Sequence, residues 1–273
     1  MARTFEDGDQ IMTTSSPTRT ASAIARGAKS ATFTLLASAA VLVGLAAGPA
    51  ATANAADDSC AAVEVVFARG TFEAPGVGAT GQAFVDALTA RLPGKSVDVY
   101  GVNYPASLDF GQAVTGIADA SNRIESIAAQ CPATKIVLGG YSQGAAVAGY
   151  TTASAVPAGF VLPDSISGPM PASVASHVAA VALFGTPDDW FLGLVDHGAP
   201  SITIGDQYVG KTIQLCASGD PVCFPGGLNR SAHSSYKSNG MADQAADFVA
   251  NRLGIATPNA TLVQASSEVA PGN

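Results

Sequence analysis

Residues 136–150 read IVLGGYSQGAAVAGY, and the change of character within this stretch points to the fold. Residues 135–138 form a short apolar run, as a buried strand requires. From Gln143 to about residue 155 alanine and other small residues take over, and the composition predicts a helix. Between the two stands Gly140-Tyr141-Ser142-Gln143-Gly144, a G-x-S-x-G that follows a strand and opens a helix. Such a turn holds its serine in a strained backbone conformation that costs about 1–3 kcal/mol. Glycines two residues to either side let strand and helix pass without Cβ clashes. Ala145 and Ala146 extend that narrow zone. The strain leaves a hydroxyl exposed above the sheet, beside the free N–H groups of a helix start. A serine that only caps a tight turn fits the same five letters. The strand-to-helix context favours a nucleophile.

Outward from this stretch, apolar runs at residues 62–68, 96–100, 178–184 and 211–216 read as four further strands. Apolar residues at helical spacing predict helices over 82–92, 109–130 and 241–253. Residues 156–173, VPAGFVLPDSISGPMPAS, are too rich in Pro, Gly and Ser for regular structure. Strands alternating with helices imply a three-layer α/β sandwich around a mainly parallel five-stranded sheet. In such sheets reactive groups gather at the carboxyl ends of the strands.

Residues 1–55 read as a leader rather than as part of this fold. Arg19, Arg26 and Lys29 precede an uncharged run that contains TFTLLASAAVLVGLAAG, and Ala53-Asn54-Ala55 matches a signal-peptidase site. Seventeen apolar residues nearly reach across a bilayer, but Asp57 and Asp58 follow where a stop-transfer signal would be basic. Export with cleavage near Ala55 is expected, with no stable membrane span in the mature form. Residues 56–254 have the length of one α/β domain, and residues 255–273 read as a loose tail. From residue 56 onward the net charge is near −9, which argues against nucleic acid and anionic membranes as partners. All four cysteines, Cys60, Cys131, Cys216 and Cys223, follow the leader, and an even count in an exported chain predicts two disulfides. No cysteine spacing fits a zinc site.

A serine nucleophile needs a base, and the chain holds three histidines. His177 precedes the strand at 178–184 and so falls on the amino edge of the sheet. His197 lies between strands in DDWFLGLVDHGAP, and His233 comes after the last strand. In α/β-hydrolases the order is Ser, then Asp or Glu, then His. Only His233 leaves room for an acid after a strand and before itself. That acid is Asp220, although Gly-Asp-Pro is also ordinary turn sequence.

FARGTFE, GYSQGAA, CASGDPVC and HSSY therefore occur in order, with Cys60 and Cys131 ahead of or between them. This set resembles the cutinase family of secreted serine esterases, over about residues 60–253. The resemblance implies an α/β-hydrolase fold without a lid domain, no cofactor or metal, and a monomer acting on an ester substrate or polyester surface. It implies Ser142 as nucleophile, His233 as base and Asp220 as orienting acid. It also implies an oxyanion hole from the Gln143 N–H and the Thr71 hydroxyl, and the pairings Cys60–Cys131 and Cys216–Cys223. Phe72 departs from the small residue common beside that hole. Phe224 and Leu228, between acid and base, are expected to form an apolar rim.

The expected substrates are carboxylic esters of short to medium acyl chain, cutin-like polyesters among them. Deacetylation of polysaccharide, as in acetylxylan esterases, is the nearest alternative. A catalytically silent secreted binding protein would show a broken triad, and all three residues stand. Gly76-Val77-Gly78-Ala79-Thr80-Gly81 matches the dinucleotide fingerprint G-x-G-x-x-G, with Asp98 about 20 residues further on. Seven residues separate it from the preceding strand, where the fingerprint needs an immediate turn.

Overall fold

The computed structural model describes residues 60–158 and 160–255. The leader, the expected cleavage site and the tail beyond 255 lie outside the described residues. The first half runs β1 (Val63–Ala68), α1 (Gly78–Ala90), β2 (Val97–Gly101), a 3-10 turn (Phe110–Gln112), α2 (Ala113–Gln130), β3 (Lys135–Tyr141) and α3 (Gln143–Thr151). The second half runs α4 (Ala172–Ala175), β4 (Val178–Phe184), α5 (Asp189–Val195), α6 (Asp206–Val209), β5 (Thr212–Leu215), α7 (Arg230–His233) and α8 (Met241–Arg252).

The five strands form one sheet in the order β2-β1-β3-β4-β5, and every pairing is parallel. Sequence explains the order. VEVVFA of β1 is buried at all six positions, and β3 and β4 are nearly as apolar, as strands covered on both faces must be. The edge strands VDVYG and TIQL carry Asp98 and Gln214 and are half open to solvent. Alternation then sorts the central side chains into two cores. Val65, Phe67 and Val137 pack with α1 and α8 through Phe84, Leu88 and Val249. Val66, Ala68 and Leu138 pack on the other face with Ile117 and Ile124 of α2 and Val147 of α3. The result is the expected three-layer α/β-hydrolase sandwich, with no lid domain among the described residues. No described helix is long and apolar enough to cross a membrane.

Several boundaries move for physical reasons. β3 continues through the glycine pair to Tyr141, because Gly139 and Gly140 still pair with Ala182 and Leu183 of β4. α1 starts at Gly78, earlier than expected, where the Glu73 carboxylate accepts the Ala79 N–H at 2.7 Å. α3 stops at Thr151, and the Thr151 and Thr152 hydroxyls donate back to the carbonyls of Val147 and Gly149. The short helices α5, α6 and α7 lie in stretches without helical apolar periodicity.

Candidate active site

Because all strands run one way, their carboxyl ends share one edge, and the loops after β1, β3, β4 and β5 meet there. Ser142 follows β3 with φ 55° and ψ −121°, a left-handed backbone that a non-glycine residue rarely adopts. Its N–H donates to the Phe184 carbonyl at 2.9 Å, and its own carbonyl accepts the Ala145 N–H at 2.8 Å. The flanking glycines are a matter of space. A Cβ on Gly140 would overlap the Gly144 carbonyl, and one on Gly144 would overlap the Ala68 carbonyl.

His233 closes α7, whose start is capped by the Asn229 side chain accepting the Ser231 N–H at 3.1 Å. Its Nε2 lies 2.8 Å from Ser142 Oγ, and its Nδ1 lies 2.9 Å from both oxygens of Asp220. Asp220 is fully buried. Burial pushes its pKa up, but hydrogen bonds from His233, Tyr236 and the Val222 N–H outweigh that and leave it below the ordinary aspartate value. The carboxylate is thus ionised at neutral pH and can only accept, so Nδ1 carries the proton and Nε2 faces the serine as an acceptor. The Tyr141 hydroxyl donates to the His233 carbonyl at 2.6 Å, and its ring lies 5.1 Å from the imidazole.

The acid's loop is tied down on several sides. The disulfide Cys216–Cys223 spans it, with Cα atoms 5.8 Å apart, and Cys60–Cys131 forms the second bridge. The Asn229 N–H donates to the Gly219 carbonyl at 2.9 Å, joining the acid's loop to the start of α7. The other histidines stay away. His177 sits at the amino edge, where its carbonyl accepts the Ile136 N–H, and exposed His197 binds the Gly193 carbonyl within its own turn.

Thr71 and Gln143 meet beside Ser142, with Thr71 Oγ1 3.4 Å from Gln143 Oε1 and Gln143 Nε2 donating to the Ser107 carbonyl at 3.1 Å. Two charged residues on either side of Thr71 hold its loop. Buried Arg69 donates to the carbonyls of Glu73, Val102 and Tyr104 at 2.8, 3.2 and 2.6 Å. The Glu73 carboxylate accepts the N–H groups of Gly70 and Ala79, each at 2.7 Å. Glu73 therefore occupies the Ala79 amide at the start of α1 that a phosphate would need, which counts against the dinucleotide reading of the nearby glycines. The signal for Arg69 and Glu73 is their spacing in R-G-T-F-E, two opposite charges bracketing a hydroxyl after a buried strand. Tyr236, discussed below, had only its place in HSSY.

A cleft of about 540 Å³ opens from Ser142 and His233. Leu108, Val114, Ile117, Phe160, Phe191 and Val195 are among its apolar lining residues. Phe224 and Leu228 do not line it, in contrast to the expected rim. The Phe224 N–H bonds back to the Asp220 carbonyl and the Gly227 N–H to the Phe224 carbonyl, so the segment folds on itself outside the cleft. Leu228 is left 92% exposed. Phe72, which does line the cleft, is 74% exposed with φ 65°, and its N–H donates to the Ala106 carbonyl at 2.7 Å.

The Cutinase family model matches residues 59–253. The chain is 48% identical over 215 residues to "Carboxylesterase Culp1" of Mycobacterium tuberculosis, spanning 78% of this chain and 92% of that protein. A solved Trichoderma reesei cutinase in complex with a phosphonate inhibitor is 34% identical with a TM-score of 0.52, over 71% of this chain and 77% of that one. A solved acetylxylan esterase is 26% identical with a TM-score of 0.58, over 72% of this chain and the whole of its own. A match that spans the sheet, both disulfides and the serine elbow settles the relationship: the chain belongs to the cutinase family of carboxylic ester hydrolases.

Proposed function

We propose that this ester hydrolase works through an acyl-enzyme on Ser142, with His233 as general base and Asp220 as the acid that orients it. The observation that carries the reading is the unbroken chain from Ser142 Oγ through the imidazole to a buried carboxylate, 2.8 and 2.9 Å per step. Nε2 takes the hydroxyl proton as Oγ attacks the ester carbonyl, and Asp220 stabilises the imidazolium. The Gln143 N–H and the Thr71 hydroxyl receive the oxyanion. Collapse returns the proton to the departing alcohol and leaves the acyl group on Oγ. Water then attacks with its proton passing to Nε2, the acid departs, and Ser142 recovers its proton. Every proton is carried by this chain's own side chains, so the reading needs neither a cofactor nor a second copy.

The apolar walls of the cleft favour an acyl chain of several carbons, short to medium in length, over acetyl. Ester-bearing polymers of cutin type fit the same opening. The likeness to an acetylxylan esterase supports deacetylation as the second reading. Two disulfides, together with the leader pattern, support export after cleavage near Ala55.

The test is hydrolysis of p-nitrophenyl esters from acetyl to palmitoyl by the protein recovered from culture medium, with its N-terminus sequenced. A rate peak between butyryl and octanoyl, absent in Ser142→Ala, is expected from a species that starts near Ala56. A peak at acetyl alone transfers the reading to deacetylation. Undiminished hydrolysis by Ser142→Ala refutes the triad.

A further inference from the structure

Tyr236 is fully buried three residues after His233, and the mechanism above does not use it. Its hydroxyl lies 2.5 Å from Asp220 Oδ2. The Ala217 N–H, at the carboxyl end of β5, donates to that same hydroxyl at 3.0 Å. This pair of contacts sets the direction of the phenolic proton. An N–H can only donate, so it takes a lone pair of the hydroxyl, and an ionised carboxylate can only accept. The hydroxyl proton is therefore aimed at Oδ2.

Asp220 consequently has a partner for each oxygen besides the imidazole. Oδ1 accepts the Val222 N–H at 2.8 Å, and Oδ2 accepts Tyr236. His233 Nδ1 sits equally distant from both, at 2.9 Å. That symmetric placement requires the carboxylate plane to be held from both sides. Without the phenol, Oδ2 would keep only the imidazole, and the group would be held against rotation from the Oδ1 side alone, by the Val222 N–H.

We infer that Tyr236 is a positioning residue for the proposed triad: its hydroxyl fixes the rotation of the Asp220 carboxylate and draws off part of its charge, and so sets both the aim and the basicity of His233. The inference rests on the triad reading. The groups around this side chain are Asp220 and the Cys223 sulfur, 2.5 and 3.3 Å from the hydroxyl, and the rings of His233, edge-on at 6.3 Å between centroids, and Tyr141, at 5.8 Å. Burial, then the bond to Asp220, raises the Tyr236 pKa far above the ordinary phenol value, so the donor stays protonated across the working range.

Two variants test it with opposite expected signs. Tyr236→Phe leaves Asp220 less constrained and richer in charge. Its kcat should fall roughly ten- to a hundredfold, with KM within about twofold, as for a misaimed catalytic group. The acid limb of its kcat/KM profile should move to higher pH, because a more basic carboxylate holds the imidazolium more tightly. Site-specific 3-fluorotyrosine at position 236 keeps ring and hydroxyl while strengthening the donor, and should move that limb to lower pH. Active sites are counted by phosphonate titration, so that loss of folded protein is separated from loss of turnover. An acid limb that stays put in the fluorotyrosine protein overturns the proposal, whether or not Tyr236→Phe folds. So does a Tyr236→Phe protein with unchanged kcat per titrated site. Ser142→Ala, assayed in parallel, keeps the two readings apart, since its residual activity bears on the triad alone.

Discussion

Ser142 stands at φ 55° although nothing in its side chain favours that conformation. The backbone accepts a cost of about 1–3 kcal/mol because the Phe184 carbonyl, the close Gly140–Gly144 crossing and the first turn of α3 together leave no other path. Thr71 is held just as firmly, by the Arg69 guanidinium spread over three carbonyls and by Glu73 on the Gly70 amide. In the proposed mechanism a hydroxyl on so rigid a loop meets the oxyanion without reorganising. Thr71→Val, which keeps the shape and removes the donor, should therefore lose about 2.7–4 kcal/mol of transition-state stabilisation, a drop of some 10²–10³ in kcat. Steady-state kinetics on a butyryl ester check this. A kcat within threefold of the parent would remove Thr71 from the oxyanion hole. At this scale the meeting of Ser142, Asp220 and His233 was legible, because motif context and chain order constrain them. Tyr236 was not, because a buried tyrosine looks the same in sequence whichever atoms it reaches.

At the scale of elements, one face of the sheet is locked by three aromatic rings from β1, α1 and β4. Phe67, Phe84 and Phe184 have centroids 5.9–6.2 Å apart, and all are fully buried. Phe84→Ala should cost about 3–5 kcal/mol, since a ring-sized cavity between α1 and the sheet cannot collapse without moving a strand. Urea unfolding should show this as a lower midpoint at unchanged slope. Turnover per titrated active site should survive, because none of the three rings lines the cleft. A shift under 1 kcal/mol would mean that α1 repacks. The strand at Val178–Phe184 was legible to its boundaries, being apolar throughout. The helices α5 and α7 were not, since seven and four residues are too few to show a period.

For the whole molecule, the two disulfides sit at opposite ends of the sheet and should separate stability from activity. Cys60–Cys131 joins the approach to β1 with the end of α2, at the amino edge, and spans 71 residues of chain. Chain entropy assigns it about 4 kcal/mol, against about 2 kcal/mol for the seven-residue span of Cys216–Cys223. Replacing the first pair by serine should lower the thermal midpoint more yet spare kcat. Replacing the second should lower it less yet cut kcat, because the Asp220 loop loses its closure. Equal kcat losses in the two variants would contradict this assignment.

The sequence by itself determined the layers, the strand count and the strand-to-helix turn that carries Ser142, because burial on both faces, helical period and a Gly-x-Ser-x-Gly after a strand are local patterns. It also carried the order Ser, Asp, His and an even set of cysteines. Which side chains wall the cleft was decided only by tertiary structure. Phe224 and Leu228 lie between acid and base in sequence but turn outward, while Leu108, Phe160 and Phe191 arrive from three separate loops and helices. The same holds for the phenol behind Asp220. Local pattern reports whether a residue is buried. What it is buried against depends on which loops the parallel strands deliver to one edge, and that is settled by packing between residues far apart in the chain.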